Sequence, residues 1–377
     1  MPDFLDALKA APRVLIEARL KPVAGTRIQP TGFPDLGPAT YDAPDGTATL
    51  LVESAQSMAN RLESVCWDEG ADEIVPELKG LPYIRVKLEG IGSGSDTTTS
   101  LQEFHRLNSP YIMSGKAGDG TPFIDVLRPQ LGLKTVVAST AAPRAGRRGA
   151  TAVAPAGAGA APDATDGAAP ADKERDDVAG VVNLRKLAAA CFKYDPNSLV
   201  HGVFLEKIAG RLRHPRALSA FIEASGVGRA DSGGVKFDRA LPKPKVANVD
   251  AKGGYGNVPF HRTEFTAKTI TAFFSLDLAQ IRGYGRPPEA ADLLTALSLW
   301  KVRQFLDSNM RLRTACELEL TDGDIECRYK DAARTNQSFA LPPAAELTAR
   351  VGTLVTACKP LFADPVVTVL TWNNPRG

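Results

Sequence analysis

Three basic stretches of this chain, and one polar helix face, gather side chains able to hold a phosphate. Lys207 to Arg216, KIAGRLRHPR, carries Lys207, Arg211, Arg213 and Arg216 with His214 and no acid. Residues 236–262 hold six Lys or Arg against two Asp, among glycines and prolines, with Tyr255, Phe260 and His261 interleaved. A basic loop of that kind can follow a phosphate backbone and stack on bases; a solvated surface loop has the same composition. Arg311-Leu-Arg313 sets two guanidiniums on one side of an extended segment, as a phosphate clamp or as ion pairs with the acidic run that follows. Gln56, Ser57, Asn60 and Arg61 share one face of an expected helix beginning near Ser54, where short polar groups and a helix N-terminus can meet phosphate. An ordinary exposed helix face reads the same way.

Little in the sequence suits catalysis. The four histidines, His105, His201, His214 and His261, form neither H-E-x-x-H nor an i,i+4 pair. No P-loop, G-x-S-x-G or strand-bound G-x-G-x-x-G occurs, and the clusters Gly253-Gly-Tyr-Gly256 and Gly283-Tyr-Gly285 read as turns. The five cysteines lack C-x-x-C spacing, so no metal centre or cofactor is expected and buried thiols are. A hidden acid–base pair built from ordinary carboxylates stays open. A formal net charge of +2 requires any nucleic-acid surface to be a local patch. The N-terminal residues do not read as a signal peptide and no window has the length of a membrane span, so a cytoplasmic protein is expected.

The elements that must position these residues follow from periodicity. Val14, Ile16, Ala18 and Leu20 alternate with charged residues, a half-buried strand. After a Pro- and Gly-rich loop over 21–46, apolar residues from Leu51 to Val65 fall at helical spacing. Residues 138–177 contain 15 Ala, 5 Gly and 4 Pro and no aromatic, which marks a flexible insertion. Beyond it, Val182 to Phe192 reads as a helix, Leu199 to Leu205 as a strand, and Lys268 to Leu278 as an alternating strand. Pro288 opens a helix to about Leu306, Arg311 to Lys330 reads as a hairpin turning at Asp322-Gly323, and Pro365 to Trp372 as a last strand. The order predicts an α+β sandwich with helices on one face of an antiparallel sheet, as in ferredoxin-like folds.

Taken in order, RLKPVAGTRIQPTGFP (Arg19 to Pro34), LLVESAQSMANRLE (Leu50 to Glu63), EFHRLNSPYI (Glu103 to Ile112), HPRALSAFIEA (His214 to Ala224), GYGNVPFHRTEFTA (Gly254 to Ala267), LDLAQIRGYG (Leu276 to Gly285) and LWKVRQFLDSNMRLRTACEL (Leu299 to Leu318) resemble the RAMP-superfamily backbone subunit of type I-G (formerly I-U) CRISPR effector complexes. The resemblance implies an RRM-like palm with inserted finger and thumb regions. Its first part would lie in 1–137 and the remainder in 178–377, around a low-complexity, disordered insertion at 138–177, with the thumb near 236–262. It implies a non-enzymatic subunit whose copies stack head to tail along CRISPR RNA beside other Cascade subunits, leaving bases free to pair with target DNA. The residues it points to for RNA contact are Arg27, Gln29, Ser54, Ser57, Asn60, Arg61, Arg213, Arg216, Lys243, Lys245, Arg311 and Arg313, with His105 and Arg106. Two alternatives stay open. One is a metal-independent endoribonuclease of the same superfamily using Asp250 or His261; the other is a protein scaffold without nucleic acid.

Overall fold

Alternation of apolar with charged residues makes Arg13–Pro22 (β1) a half-buried strand, with Val14, Ile16, Ala18 and Leu20 facing inward. The structure, a computed structural model, describes residues 3–33, 35–90, 96–135, 178–206, 208, 212–236 and 258–373. Around β1 it places Thr40–Asp42 (β2), Ala48–Glu53 (β3), Leu218–Ser225 (β4), Thr269–Asp277 (β5), Met310–Arg313 (β6), Cys316–Lys330 (β7) and Asn336–Phe339 (β8). Together they form an eight-stranded antiparallel sheet in the order β6-β7-β1-β5-β4-β3-β2, with β8 also paired to β7. Strands from both sides of residues 138–177 therefore interleave in one sheet.

The helices Ala55–Ser64 (α1), Leu184–Tyr194 (α2), Pro288–Asp307 (α3) and Ala344–Cys358 (α4) supply the other layer, and α1 and α3 pack against the sheet. Met58, Ala59 and Leu62 are the buried stripe of α1, and the Ser54 hydroxyl caps it by accepting from the Ser57 amide at 3.3 Å. Pro288 occupies the first position of α3, and Trp300 donates from its buried indole to Thr348 Oγ1 on α4 at 2.9 Å. The fold is α+β, with helices packed on the face of the sheet that carries the core. Outside this sheet, Val367–Asn373 pairs in parallel with Tyr83–Glu89.

Two sequence expectations are corrected. The chain does not reverse at Asp322-Gly323: β7 runs through that dipeptide, and the reversal lies at Thr314-Ala315, with Ala315 at φ 58°. Against β1 the register steps from Ala18–Ile325 to Leu20–Leu320, so the surplus residues are taken up as a bulge rather than a turn. The strand expected over 199–205 is a helix, Asn197–His201, then Gly202 at φ 79° and the short strand Val203–Leu205. A Cβ on Gly202 would stand 2.7 Å from the His214 carbonyl oxygen, so both backbone angle and space require glycine there.

Gly228–Lys236 and Val258–Thr266 pair residue for residue as a long ribbon, and Arg27–Ile28 joins its edge. The basic loop read over 236–262 thus begins and ends in paired strand. Lys243, Lys245 and Asp250 lie outside the described residues, as do residues 138–177.

The sheet and α1 are joined through one buried carboxylate. Glu53, at the end of β3, receives a hydrogen bond from Arg313, whose other nitrogen donates to the carbonyls of Gln29 and Val52 at 3.1 Å each. Arg61 brings its Nε to 3.3 Å from Glu53 Oε1 and donates from Nη2 to the Leu312 carbonyl. Arg311 instead pairs with Glu317 at 3.2 Å, in the acidic run after it, so Arg311 and Arg313 end on different partners. Removing one partner of a buried pair leaves an uncompensated charge, whereas an exposed pair contributes little. Arg313→Ala should therefore lower stability by about 3 kcal/mol and Arg311→Ala by no more than about 0.5 kcal/mol, both read by urea unfolding. Equal losses would contradict this division.

Candidate nucleic-acid interface

The Gly202 turn that broke the expected strand also shapes a cleft. On one side stand the helix Asn197–His201 and the hairpin Val203–Leu205 with Leu212–His214; on the other stand the turn at Arg106 and the first turn of α1. The cavity between them measures about 730 Å³ and takes in Gln56, Phe104, His105, Arg106, Arg213 and Arg216. Among the described residues lining it, none is acidic. Four residues expected to contact RNA, His105, Arg106, Arg213 and Arg216, are thus brought to one place.

Its walls combine charge with rings. Arg213 lies over the Phe204 ring with 5.2 Å to the centroid, and the Phe104 ring is 67% exposed. Arg216 donates to the Gln56 side-chain oxygen; burial, reinforced by the like charge of Arg106, lowers its pKa from the usual guanidinium value. His214 meets Tyr284 edge-on at 4.7 Å, and Tyr284 donates to the Leu199 carbonyl at 2.9 Å. Two smaller cavities adjoin the cleft. One of about 280 Å³ shares Arg213, His214 and Pro215, and one of about 540 Å³ shares His105.

Beneath the walls lies a layer of buried charge. Arg106, a non-glycine residue at φ 52°, sends its guanidinium inward. It holds Glu63 with two hydrogen bonds of 2.6 Å and donates to the Gly202 carbonyl at 3.1 Å. Burial pushes the Glu63 carboxyl up to about 7 against the opposing pull of Arg106 and Lys301. Lys301, itself buried, stands with its Nζ 2.9 Å from His201 Nε2. An ammonium can only donate, so His201 Nε2 accepts and the neutral ring carries its proton on Nδ1. Burial first, then the charges of Lys301, Arg106 and Arg216, hold His201 well below the ordinary histidine range.

The remaining expected contacts are dispersed. Arg27 pairs with Glu264 at 3.1 Å on the ribbon. The Gln29 backbone serves the sheet, its amide donating to the Ala315 carbonyl at 2.8 Å. Ser54 and Ser57 form the cap of α1, Asn60 keeps a buried side-chain oxygen without a partner, and Arg61 and Arg313 hold Glu53. Arg311 is exposed beside Glu317. Sequence reasoning left Gln56, Phe104, Phe204, His201 and His214 out of its set of contacts. The adjacent run Phe104-His105-Arg106 was a signal, but only the Gly202 turn brings it against Arg213 and Arg216.

A neutral buried histidine has a consequence for acid stability. The unfolded chain binds a proton on this ring near pH 6.5 that the native state refuses, so the stability contributed is present above that pH and lost below it. His201→Gln should lose less stability than the wild type as pH falls from 7 to 5, with a difference approaching about 1.4 kcal/mol per pH unit. Urea unfolding at half-unit steps of pH checks this; parallel curves would contradict it.

Comparison with known proteins gives one family. The family described as CRISPR-associated protein GSU0053 (Cas_GSU0053) matches residues 14–229, more than half of the 377, a span that contains the whole cleft. No curated protein matches. Among solved structures, a chain of "CRISPR RNA-guided surveillance complex, pre-nicking" aligns at 11% identity over 92% of this chain and 89% of that one, with a TM-score of 0.38. The crystal structure of Thermofilum pendens Csc2 aligns at 9% identity over 96% and 81%, with a TM-score of 0.28. At such scores neither likeness carries weight, and the family match stands by itself: the chain belongs to the CRISPR-associated GSU0053 family.

Proposed function

We propose that this chain is a non-catalytic CRISPR RNA-binding backbone subunit of a Cascade-type surveillance complex. The observation that carries the reading is the cleft, where Arg213, Arg216 and His105 stand with the exposed ring of Phe104 and no acid among the described lining residues. Guanidiniums grip phosphates whatever the sequence, and rings stack on any base, so such a surface holds a guide without reading it. Specificity then comes from base pairing with target DNA. Membership of a CRISPR-associated family supports the setting.

The strand order supports an RRM-like, ferredoxin-like palm. Taking β1, α1, β4, β5, α3 and β7 as strand, helix, two strands, helix and strand, the sheet order β7-β1-β5-β4 is the fourth, first, third and second strand of that unit. The ribbon Gly228–Lys236 with Val258–Thr266 suits the role of thumb, with Arg229, Arg262 and Phe260 along it. Head-to-tail copies along the guide, beside other Cascade subunits, complete the reading.

The cleft histidines are not arranged as an acid–base pair, since His201 is tied to Lys301 and buried. His261, a candidate base for the ribonuclease alternative, is exposed on the ribbon 3.5 Å from Asp231.

Arg213→Ala with Arg216→Ala should weaken binding of guide-length single-stranded RNA of several sequences alike. Each lost phosphate contact removes about 0.7 from the slope of log affinity against log salt, so the double variant should lose about 1.4. An unchanged slope would sink the assignment. Cleavage of the RNA by the purified wild type would overturn its non-catalytic half.

A further inference from the structure

The floor of the cleft holds polar atoms that no described residue satisfies. His201 is 1% exposed, lines the cavity, and has no hydrogen-bond partner at Nδ1 among the described residues. His214 Nδ1, on the hairpin in the same wall, is likewise buried and has no hydrogen-bond partner among the described residues. Buried donors and acceptors are almost always paired, and leaving one unpaired costs about 1–3 kcal/mol. The Lys301 ammonium makes the His201 Nδ1 group a donor in a fixed direction, neutral and set deeper than the arginines. A phosphate alone has no use for it, because the rim already offers Arg213 and Arg216.

We infer that the cleft is a subsite for a single nucleotide: its phosphate lies between Arg213 and Arg216, its base against the Phe104 ring, and one acceptor of its sugar or base on His201 Nδ1–H. The inference rests on the RNA-binding reading and deepens it, naming one unit of the strand and the groups that hold it. A cavity of about 730 Å³ falls within the usual range for ligands of this size. One neutral donor does not discriminate, since every base carries at least one acceptor. The subsite therefore orients a nucleotide without selecting it.

The test is calorimetric titration of the full chain with adenosine 5′-monophosphate, uridine 5′-monophosphate and inorganic phosphate, alongside binding of guide-length RNA. Both mononucleotides should bind one per chain, with phosphate at least tenfold weaker. Phe104→Ala, which removes an exposed ring, and His201→Met, which keeps a weak thioether acceptor toward Lys301 and has no donor, should each weaken the mononucleotides at least fivefold and leave phosphate unchanged. If His201→Met fails to fold, the Phe104→Ala comparison decides the matter alone. Phosphate binding as tightly as the mononucleotides, or mononucleotides failing to bind, overturns the subsite. Should RNA still bind in that case with its salt dependence carried by Arg213 and Arg216, the RNA-binding reading stands and only the subsite falls. Loss of that salt dependence would instead remove the reading beneath it.

Discussion

Two carboxylates at either end of α1 govern much of this architecture. Glu53 and Glu63 are both buried, and a buried carboxylate is tolerable only with a cation and hydrogen bonds against it. The cations come from far along the chain: Arg313 reaches Glu53 from β6, and Arg106 reaches Glu63 from the loop before the helix Pro110–Ser114. Each demand fixes a segment that the hydrophobic pattern leaves free. Arg106 meets Glu63 from a left-handed backbone and donates its remaining nitrogen to the carbonyl of Gly202, and Arg106 and Gly202 both line the cleft. The carboxylate beneath takes up the Arg106 guanidinium, and among the described residues lining the cleft none is acidic.

This separates arginines of similar appearance in sequence. Arg61 and Arg313 look like phosphate contacts but are committed to Glu53. Arg213 and Arg216 come from the same kind of basic run, yet one rests on a ring and the other on an amide. A guanidinium already neutralised by a buried carboxylate has little field left for a polyanion, whereas one resting on a neutral group keeps more of it.

How much was legible follows from the range of each interaction. Alternation at Val14 to Leu20 and at Ile270 to Leu276 is local, and both strands and their inward faces were readable. So was the start of α3 at Pro288. The Asp322-Gly323 turn failed because a turn dipeptide permits reversal without compelling it, and pairing with β1 across a bulge won. Leu199 to Leu205 failed because its apolar run suits helix and strand alike, and Gly202 divides it. In the site, residue type was visible and partnership was not. No local pattern says that Glu53 is buried, and its burial decides what Arg61 and Arg313 do.

The place of β1 in the sheet bears on how the chain must be made. Arg13 meets Ser275, 262 positions later in the sequence, and β1 finds its other neighbour in β7, later still. At ordinary rates of synthesis the first strand stays without either partner for on the order of tens of seconds. Through that interval a segment of alternating apolar residues has both edges open to pairing with other nascent chains. Topology of this kind folds slowly because long loops must close before any sheet contact is rewarded. The central strand is thus the first of this sheet's strands to leave the ribosome and among the last to be secured.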